Sequence, residues 1–185
     1  MTQADLTAKA RRIQLVLTDV DGVLTDGGVY YGETGEVLKR FNIRDGMGVE
    51  RLRQVGVETG IVTGEMSPSV ARRAEKLRIT ELHLGIKDKA TLLAGILTRL
   101  DLQADEVAFI GDDTNDVEIL GLVGLAACPG DATEFARRAA HYHCTAAGGH
   151  GCFRELAELI IASQQPLVEL APQAALTGLD EHREV

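Results

Sequence analysis

Short apolar segments alternate with longer amphipathic segments along most of the chain. The apolar segments are nearly continuous in hydrophobicity, which is typical of strands buried in a parallel sheet. They cover residues 14–19, 58–63, 81–84, 107–111 and 124–127. Helical periodicity in the intervening segments predicts helices at residues 47–55, 68–77, 87–100, 115–120 and 132–139. This alternation predicts an α/β fold with a doubly wound, mainly parallel sheet.

Two segments depart from this alternation. Residues 27–41 place Val-Tyr-Tyr and Val-Leu-Lys-Arg-Phe on either side of Gly-Glu-Thr-Gly, which predicts a β-hairpin that projects after the first strand. Because an isolated two-stranded ribbon is rarely stable, we expect its aromatic residues to pack on a partner surface rather than to form only a satellite cluster. Residues 165–185 combine prolines and a glycine with polar residues, which indicates a mobile tail after a single domain at residues 1–164.

The composition narrows the classes of function. The chain has 185 residues, of which 45% are apolar, and this suits one domain with a hydrophobic core. A formal net charge of -9 disfavours nucleic acids and anionic membranes as partners. The three cysteines have no metal-ligand spacing and favour a reducing compartment, and the first apolar run is too short for a signal peptide or a membrane span. We therefore expect a cytoplasmic protein.

Two carboxylates mark the end of the first predicted strand. Asp19 and Asp21 stand two residues apart and lead into Gly22, so that both can converge outside the carboxyl edge of the sheet. Asp19 is ionised at neutral pH and can attack phosphorus directly. Asp21 is placed to protonate an alkoxide leaving group. This pair predicts phosphoryl-transfer chemistry and needs a cation nearby.

A second acidic cluster follows the fourth predicted strand, where the sequence reads Gly-Asp-Asp-Thr-Asn-Asp at residues 111–116. Carboxylate-rich sites of this kind favour Mg²⁺, which combines one or two carboxylates with substrate oxygens and water. Taken without the rest of the chain, Asp112 and Asp116 are equally compatible with helix capping. Their occurrence together with Asp19 and Asp21 favours a magnesium site.

The second and third predicted strands end near candidate phosphate ligands. Thr63 and Gly64 offer a hydroxyl and a backbone N–H to a phosphate oxygen. Lys89 begins the next helix and can neutralise phosphate at the positive helix end. Lys87 is interpreted as a surface lysine.

In chain order the four motifs are the Asp19–Asp21 pair, Thr63-Gly64, Lys89 and the acidic segment at residues 111–116. Together they resemble the haloacid dehalogenase superfamily of phosphohydrolases over residues 14–119. The resemblance implies an aspartyl-phosphate on Asp19, with Asp21 as general acid and then general base. It also implies that Mg²⁺ is held by the Asp19 side chain, the Asp21 backbone carbonyl and Asp112, with Asp116 in support and with Thr63 and Lys89 as phosphate ligands. The gaps between the motifs leave no room for a cap domain.

The segment Gly-Gly-His-Gly-Cys-Phe-Arg-Glu at residues 148–155 resembles a signature of the capless 3-deoxy-ulosonate phosphate phosphatases, although the family prefers Ala-Val at Cys152-Phe153. Glu65, with Lys76 eleven positions later, resembles a pair in the nine-carbon (KDN or sialic-acid type) 9-phosphate phosphatases. Related enzymes for 3-deoxy-D-manno-octulosonate 8-phosphate, which serve lipopolysaccharide synthesis, usually read Thr-Gly-Arg there. We therefore predict a nine-carbon sugar-acid phosphate as substrate, with the eight-carbon substrate as the alternative.

The same resemblance implies a homotetramer in which the hairpin covers a neighbouring active site. Two other functions share part of the pattern. A phosphorelay receiver domain also clusters Asp, Thr and Lys, but its acidic pair is normally adjacent. A non-catalytic module like that attached to some acylneuraminate cytidylyltransferases would not need intact catalytic positions. His141, His143 and Cys144 could suggest a metal cluster, but alternation along a strand favours a partly exposed edge strand.

Overall fold

The computed structural model describes residues 1–164. The tail expected at residues 165–185, and with it the predicted domain boundary, lies outside the described residues. The strands are β1 Leu15–Thr18, β2 Tyr30–Gly32, β3 Gly35–Leu38, β4 Glu58–Val62, β5 Glu81–His83, β6 Val107–Ile110, β7 Leu125–Cys128 and β8 Tyr142–His143. The helices are α1 Gln3–Arg11, α2 Ile43–Gln54, α3 Pro68–Leu77, α4 Lys89–Leu100, α5 Val117–Leu120, α6 Glu134–Ala139 and α7 Cys152–Gln164.

Six parallel strands form the central sheet in the order β5-β4-β1-β6-β7-β8. β1 lies in the interior of this sheet, between β4 and β6. Because parallel strands end at the same edge, the loops after β1, β4 and β6 meet there. The doubly wound α/β fold expected from the sequence is confirmed.

Helices cover both faces of the sheet. The side chains of β1 alternate, so that Val16 packs with α1, α2, α3 and α7, whereas Leu15 and Leu17 pack with α4, α5 and α6. Both clusters consist of fully or nearly fully buried apolar residues. This two-sided burial explains why the predicted strands read as continuous apolar runs.

Two helices are absent from the sequence-based prediction. α1 begins with a capping box, in which Thr2 accepts a hydrogen bond from the Asp5 amide and the Asp5 side chain accepts one from the Thr2 amide. α7 buries Phe153, Leu156 and Ile160 at helical spacing against the core. The two helices pack against each other on the face of the sheet to which Val16 points, and they cover the core on that face.

The predicted hairpin is present. Strands β2 and β3 pair antiparallel and form a sheet of their own, apart from the central sheet. Its side chains remain largely exposed, with Tyr31 at 74% and Val37 at 59%. Among residues 1–164, no helix combines the length and apolarity that a bilayer crossing requires.

The expected edge strand at Tyr142–His143 is also present, as β8. His141, directly before this strand, and His143 within it both have protein partners, since His141 Nδ1 accepts from the Ala126 amide at 3.0 Å and His143 Nε2 bonds to the Arg137 carbonyl at 2.8 Å. The cysteine that follows, Cys144, is buried and donates to the Cys152 carbonyl. These contacts favour a structural role over metal binding.

Candidate active site

The loop after β1 brings the first two carboxylates to the carboxyl edge of the sheet. Its turn depends on Gly22, which has a φ of +86° that favours glycine. A Cβ at this position would lie 2.1 Å from Asp112 Oδ2, so the backbone of this loop approaches Asp112 more closely than any side chain would permit. The Asp19–Gly22 loop and the loop after β6 are therefore packed directly together.

Three carboxylates converge beside Lys89. Oxygen atoms of Asp19, Asp112 and Asp116 all lie within 4.8 Å of one another. Lys89 Nζ donates to Asp116 Oδ1 at 2.6 Å and lies 3.1 Å from Asp19 Oδ1. The other oxygen of Asp116 accepts from the Asp112 amide at 3.0 Å. Asp116 is fully buried, and both of its carboxylate oxygens accept hydrogen bonds within the protein.

The charges of this cluster are not balanced by the protein. Burial and the nearby Asp116 raise the pKa of Asp19 to about 7, against the opposing effect of Lys89. Burial, Asp19 and Asp116 likewise raise the pKa of Asp112 to about 7. Burial would lower the pKa of Lys89, but the two carboxylates outweigh it and raise that pKa. Three carboxylates beside a single ammonium leave an excess of negative charge and offer oxygen ligands. Both features suit a divalent cation that prefers oxygen ligands, such as Mg²⁺.

An open cleft of about 270 Å³ lies above this cluster. Its walls come from the loops after β1, β4, β5 and β6 and consist of Asp19, Asp21, Thr63, Gly64, Glu65, Ile86, Lys87, Asp112, Asp113 and Asn115. The structure thus brings the predicted Asp19, Asp21, Thr63, Gly64 and Asp112 to one cleft. Lys89, which is only 3% exposed, lies beneath its floor.

The predicted pair of Glu65 and Lys76 is not formed. Glu65 lies on the cleft wall, and its ionic partner is Lys87, with Nζ 3.8 Å from Oε1. Lys76 is exposed in the last turn of α3 and makes no ion pair with any residue in the 1–164 range. The reason is geometric, since the helix rises about 1.5 Å per residue and carries its last turn roughly 12 Å from its start.

The glycine-rich segment at residues 148–155 packs against the loop that follows β1. A Cβ on Gly148 would lie 1.9 Å from the Gly22 carbonyl oxygen. The Gly149 amide and the Cys152 thiol both donate to the Val23 carbonyl, at 2.9 Å and 3.2 Å. These contacts brace the turn that follows Asp21, so the signature acts on the site through the backbone.

Sequence reasoning missed several residues of the site. Lys87, interpreted as a surface lysine, and Asn115 line the cleft. Lys39, in the hairpin, forms an ion pair with Asp21. Lys87 stands two residues before Lys89, and Asn115 lies within the acidic motif at residues 111–116, so their positions in the sequence were a usable signal. Lys39 is eighteen residues from Asp21, and no local pattern indicates the contact.

Comparisons with known proteins agree with this arrangement. A family model described as haloacid dehalogenase-like hydrolase matches residues 82–156. The chain is 39% identical over 163 residues to a Yersinia pestis protein, covering 88% of this chain and 87% of that one. It is 38% identical over 171 residues to one from Escherichia coli K12, covering 92% and 91%. Both relatives are named 3-deoxy-D-manno-octulosonate 8-phosphate phosphatase KdsC.

The structural comparison points the same way. A Moraxella catarrhalis 3-deoxy-D-manno-octulosonate 8-phosphate phosphatase, solved with magnesium ion, phosphate ion and KDO, superposes with a TM-score of 0.85 at 36% identity. The match covers 88% of this chain and 94% of that one.

Proposed function

Because this chain belongs to the 3-deoxy-D-manno-octulosonate 8-phosphate phosphatase family of haloacid dehalogenase-like hydrolases, we propose that it hydrolyses the phosphate monoester of 3-deoxy-D-manno-octulosonate 8-phosphate. The observation that carries the proposal is the cluster of Asp19, Asp112 and Asp116 around Lys89, with Asp21 on the same cleft. This arrangement supplies a nucleophile, an acid–base group and a cation site within one small volume.

The reaction follows from these positions in two steps. In the first, a carboxylate oxygen of Asp19 bonds to phosphorus, the ester P–O bond breaks, and Asp21 gives its proton to the departing sugar oxygen. In the second, Asp21 takes a proton from water, which attacks phosphorus and releases inorganic phosphate. Asp19 is then free and Asp21 is protonated again, so that the cycle balances.

The remaining residues hold charge and phosphate. Asp19, Asp112 and the backbone carbonyl of Asp21 are the proposed holders of Mg²⁺, which when bound offsets the negative charge that carboxylates and phosphate bring together. Thr63 and Gly64, which line the same cleft, are proposed phosphate ligands. Lys89, which the sequence also predicts as a phosphate ligand, keeps that role in the proposal, since its ammonium lies 3.1 Å from the proposed nucleophile Asp19. Lys89 acts from below, where its ammonium stabilises ionised Asp19 and Asp116.

The sugar assignment differs from the nine-carbon substrate that the sequence predicts. That prediction depended on a joint action of Glu65 and Lys76, which the structure does not bring together. Relatives at 38–39% identity are named for the eight-carbon substrate. We place Glu65 and its partner Lys87 at the cleft wall as the groups that face the sugar, and we assign Lys76 no contact with it.

The open cleft also bears on assembly. Hairpin side chains that include Tyr30 and Tyr31 are exposed in the single chain, at 57% and 74%, and the cleft has no cap domain above it in residues 1–164. A homotetramer in which the hairpin of one subunit covers the cleft of its neighbour would bury these aromatic side chains. It would also exclude water from the cleft during phosphoryl transfer.

A phosphate-release assay with Mg²⁺ tests the substrate. The eight-carbon 8-phosphate should exceed a nine-carbon ulosonate 9-phosphate in kcat/KM by about tenfold or more, which is what a well-matched pocket achieves. Glu65→Gln should narrow this ratio, whereas Lys76→Gln, matched in chemistry but outside the cleft, should leave it unchanged. A preference for the nine-carbon ester would return the assignment to the longer substrate.

A further inference from the structure

Lys39 is a buried cation at the base of the hairpin, directly after β3. Its side chain is only 1% exposed, and its ammonium bonds to Asp21 Oδ1 and lies 3.6 Å from Glu36 Oε2. A buried ammonium is costly unless carboxylates offset its charge. Lys39 is therefore held by two acids, one of which is the proposed general acid.

The second acid, Glu36, connects this contact to another motif. Glu36 Oε1 accepts from the Ser67 hydroxyl at 2.5 Å, and Ser67 Oγ in turn accepts from the Val70 amide as the N-cap of α3. Burial would raise the pKa of Glu36, but the hydroxyls of Ser67 and Ser69 and the Lys39 ammonium outweigh it and hold that pKa below its usual value. Ionised Glu36 thus offsets the charge of Lys39, so that no uncompensated cation faces Asp21.

The contacts of Asp21 all fall on one oxygen. Oδ1 receives the Lys39 ammonium and lies 3.5 Å from the Thr25 hydroxyl oxygen. Within residues 1–164, Oδ2 has no hydrogen-bond partner, and Asp21 lines the cleft. Since an ammonium is a donor without acceptor capacity, Oδ1 must stay an acceptor. A proton carried by Asp21 therefore resides on Oδ2.

We propose that Lys39 is a positioning residue for the hydrolysis, which holds Asp21 through Oδ1 so that Oδ2 delivers the proton to the leaving oxygen. The inference rests on the proposed phosphatase activity and deepens it. In the first step the proton moves from Asp21 Oδ2 to the departing oxygen as the ester P–O bond breaks and the bond from Asp19 to phosphorus forms. In the second step Oδ2 receives the proton of the attacking water.

A lysine that only anchors the hairpin would have different consequences. Loss of an anchor lowers activity equally for two small aryl phosphate esters of similar size, since neither gains from the hairpin as a lid. Loss of proton delivery affects esters of weakly acidic leaving groups most, because a strongly stabilised leaving group departs without an acid. The kcat/KM of each ester reports the transfer to Asp19 and the departure of the leaving group, so it isolates the step in which Asp21 acts as acid.

The test compares phenyl phosphate, with the poorer leaving group, and p-nitrophenyl phosphate, with the better one. We expect Lys39→Met to lower kcat/KM for phenyl phosphate at least about tenfold more than for p-nitrophenyl phosphate, within the usual range for general acids. Lys39→Gln, which keeps a neutral donor, should lie between Lys39→Met and the native protein. Lys9→Met is the matched control, since Lys9 donates to the Gly124 carbonyl at the opposite edge of the sheet. Its ratio should equal that of the native protein.

Equal losses on both esters, or no loss, would overturn the proposal. If Lys39→Met does not fold by circular dichroism, Lys39→Gln decides by the same ratio, where an unchanged ratio again overturns it. The two aryl esters make no assumption about the natural sugar. A native protein that cleaves them but not the eight-carbon ester would therefore remove the sugar assignment and leave the Lys39 result standing.

Discussion

Gly22 and Asp112 lie in such close contact that a Cβ on Gly22 would fall 2.1 Å from Asp112 Oδ2. The two residues belong to loops that are ninety residues apart in sequence and that together hold the nucleophile and the proposed metal ligands. Because Gly22 also has a positive φ, the contact depends on both the absence of a side chain and the freedom of its backbone.

Gly22→Ala should therefore displace Asp112 or the Asp19–Asp21 segment and lower kcat by roughly 10²-fold, the effect expected of a misplacement near 1 Å. Gly56→Ala is the matched control, because Gly56 has a similar φ of +81° but no atom within 4 Å of its added Cβ. Steady-state kinetics on p-nitrophenyl phosphate checks the pair. Equal activity of the two variants would show that the Gly22 contact is not needed.

Like charges in the site should make it less stable without metal. Asp112 lies among Asp19, Asp113 and Asp116, and burial together with this repulsion raises its pKa to about 7. An acid whose folded-state pKa exceeds its unfolded value destabilises the fold at neutral pH. In EDTA, Asp112→Asn should raise the free energy of unfolding by about 1 to 2 kcal/mol, or Tm by roughly 2 to 6 °C.

Added Mg²⁺ should raise the Tm of the native protein more than that of Asp112→Asn, since the variant has lost a metal ligand. Asp113→Asn, at an exposed neighbour that can still cap the following turn, should change Tm little in EDTA. Differential scanning calorimetry separates these cases. A lower Tm for Asp112→Asn in EDTA would refute the charge argument.

Glu155 gives a pH-dependent prediction away from the metal ligands. Burial would raise its pKa, but the amides of Thr145 and Ala146 and the Tyr142 hydroxyl outweigh it and lower that pKa. A lowered folded-state pKa stabilises the protein above the unfolded pKa, and the stabilisation is lost as pH falls through the folded pKa. Glu155→Gln should cost about 1 to 2 kcal/mol at pH 7.

The difference in the free energy of unfolding between Glu155→Gln and the native protein should begin to shrink as pH falls below the unfolded pKa of Glu, about 4.3, and should vanish only below the lowered folded-state pKa, where Glu155 is neutral in both states. Denaturant unfolding at pH 7 and at a pH below the folded-state pKa of Glu155 measures this difference in the free energy of unfolding. Glu134→Gln, which disrupts only an exposed pair with Arg138, should cost about 0.5 kcal/mol or less. A Glu155 effect that does not change with pH would mean that the contacts act without the charge.

Substitutions on the hairpin test the proposed assembly. Tyr31→Glu places a charge on a side chain that is 74% exposed in the single chain but buried in the proposed tetramer. Light scattering should show smaller species, and activity on the sugar phosphate should fall more than activity on p-nitrophenyl phosphate. Phe135→Glu, on α6 and 61% exposed, is the control and should stay assembled. An assembled and fully active Tyr31→Glu protein would contradict the lid.

The sequence predicted the parts of the fold that local patterns specify. Continuous apolar runs located β1 and β6, because both faces of those strands are buried, and the Asp19–Asp21 spacing located the site at their ends. The periodicity of α7 was equally visible in Phe153, Leu156 and Ile160, but its residues were interpreted only as a signature. The helical spacing of these apolar residues was therefore sufficient to predict α7.

Other features depend on tertiary packing, and local sequence does not encode them. The contact of Lys39 with Asp21 exists because the hairpin folds back over the loop after β1, which no spacing rule reports. Glu65 and Lys76 were placed together by analogy, whereas the axis of α3 separates them. The role of Lys89 beneath Asp19 likewise required the positions of β1 and β6 in three dimensions.

The central claim is that Asp19 forms the covalent phosphoenzyme, and chemical trapping tests it most directly. The protein is mixed with 3-deoxy-D-manno-octulosonate 8-phosphate and Mg²⁺, quenched during turnover and reduced with borohydride, which converts an aspartyl-phosphate to homoserine. Peptide mass spectrometry should find homoserine at position 19, only with both substrate and metal, and Asp19→Asn should show neither trapped product nor phosphate release. Trapping at another carboxylate, or comparable turnover by Asp19→Asn, would contradict the account.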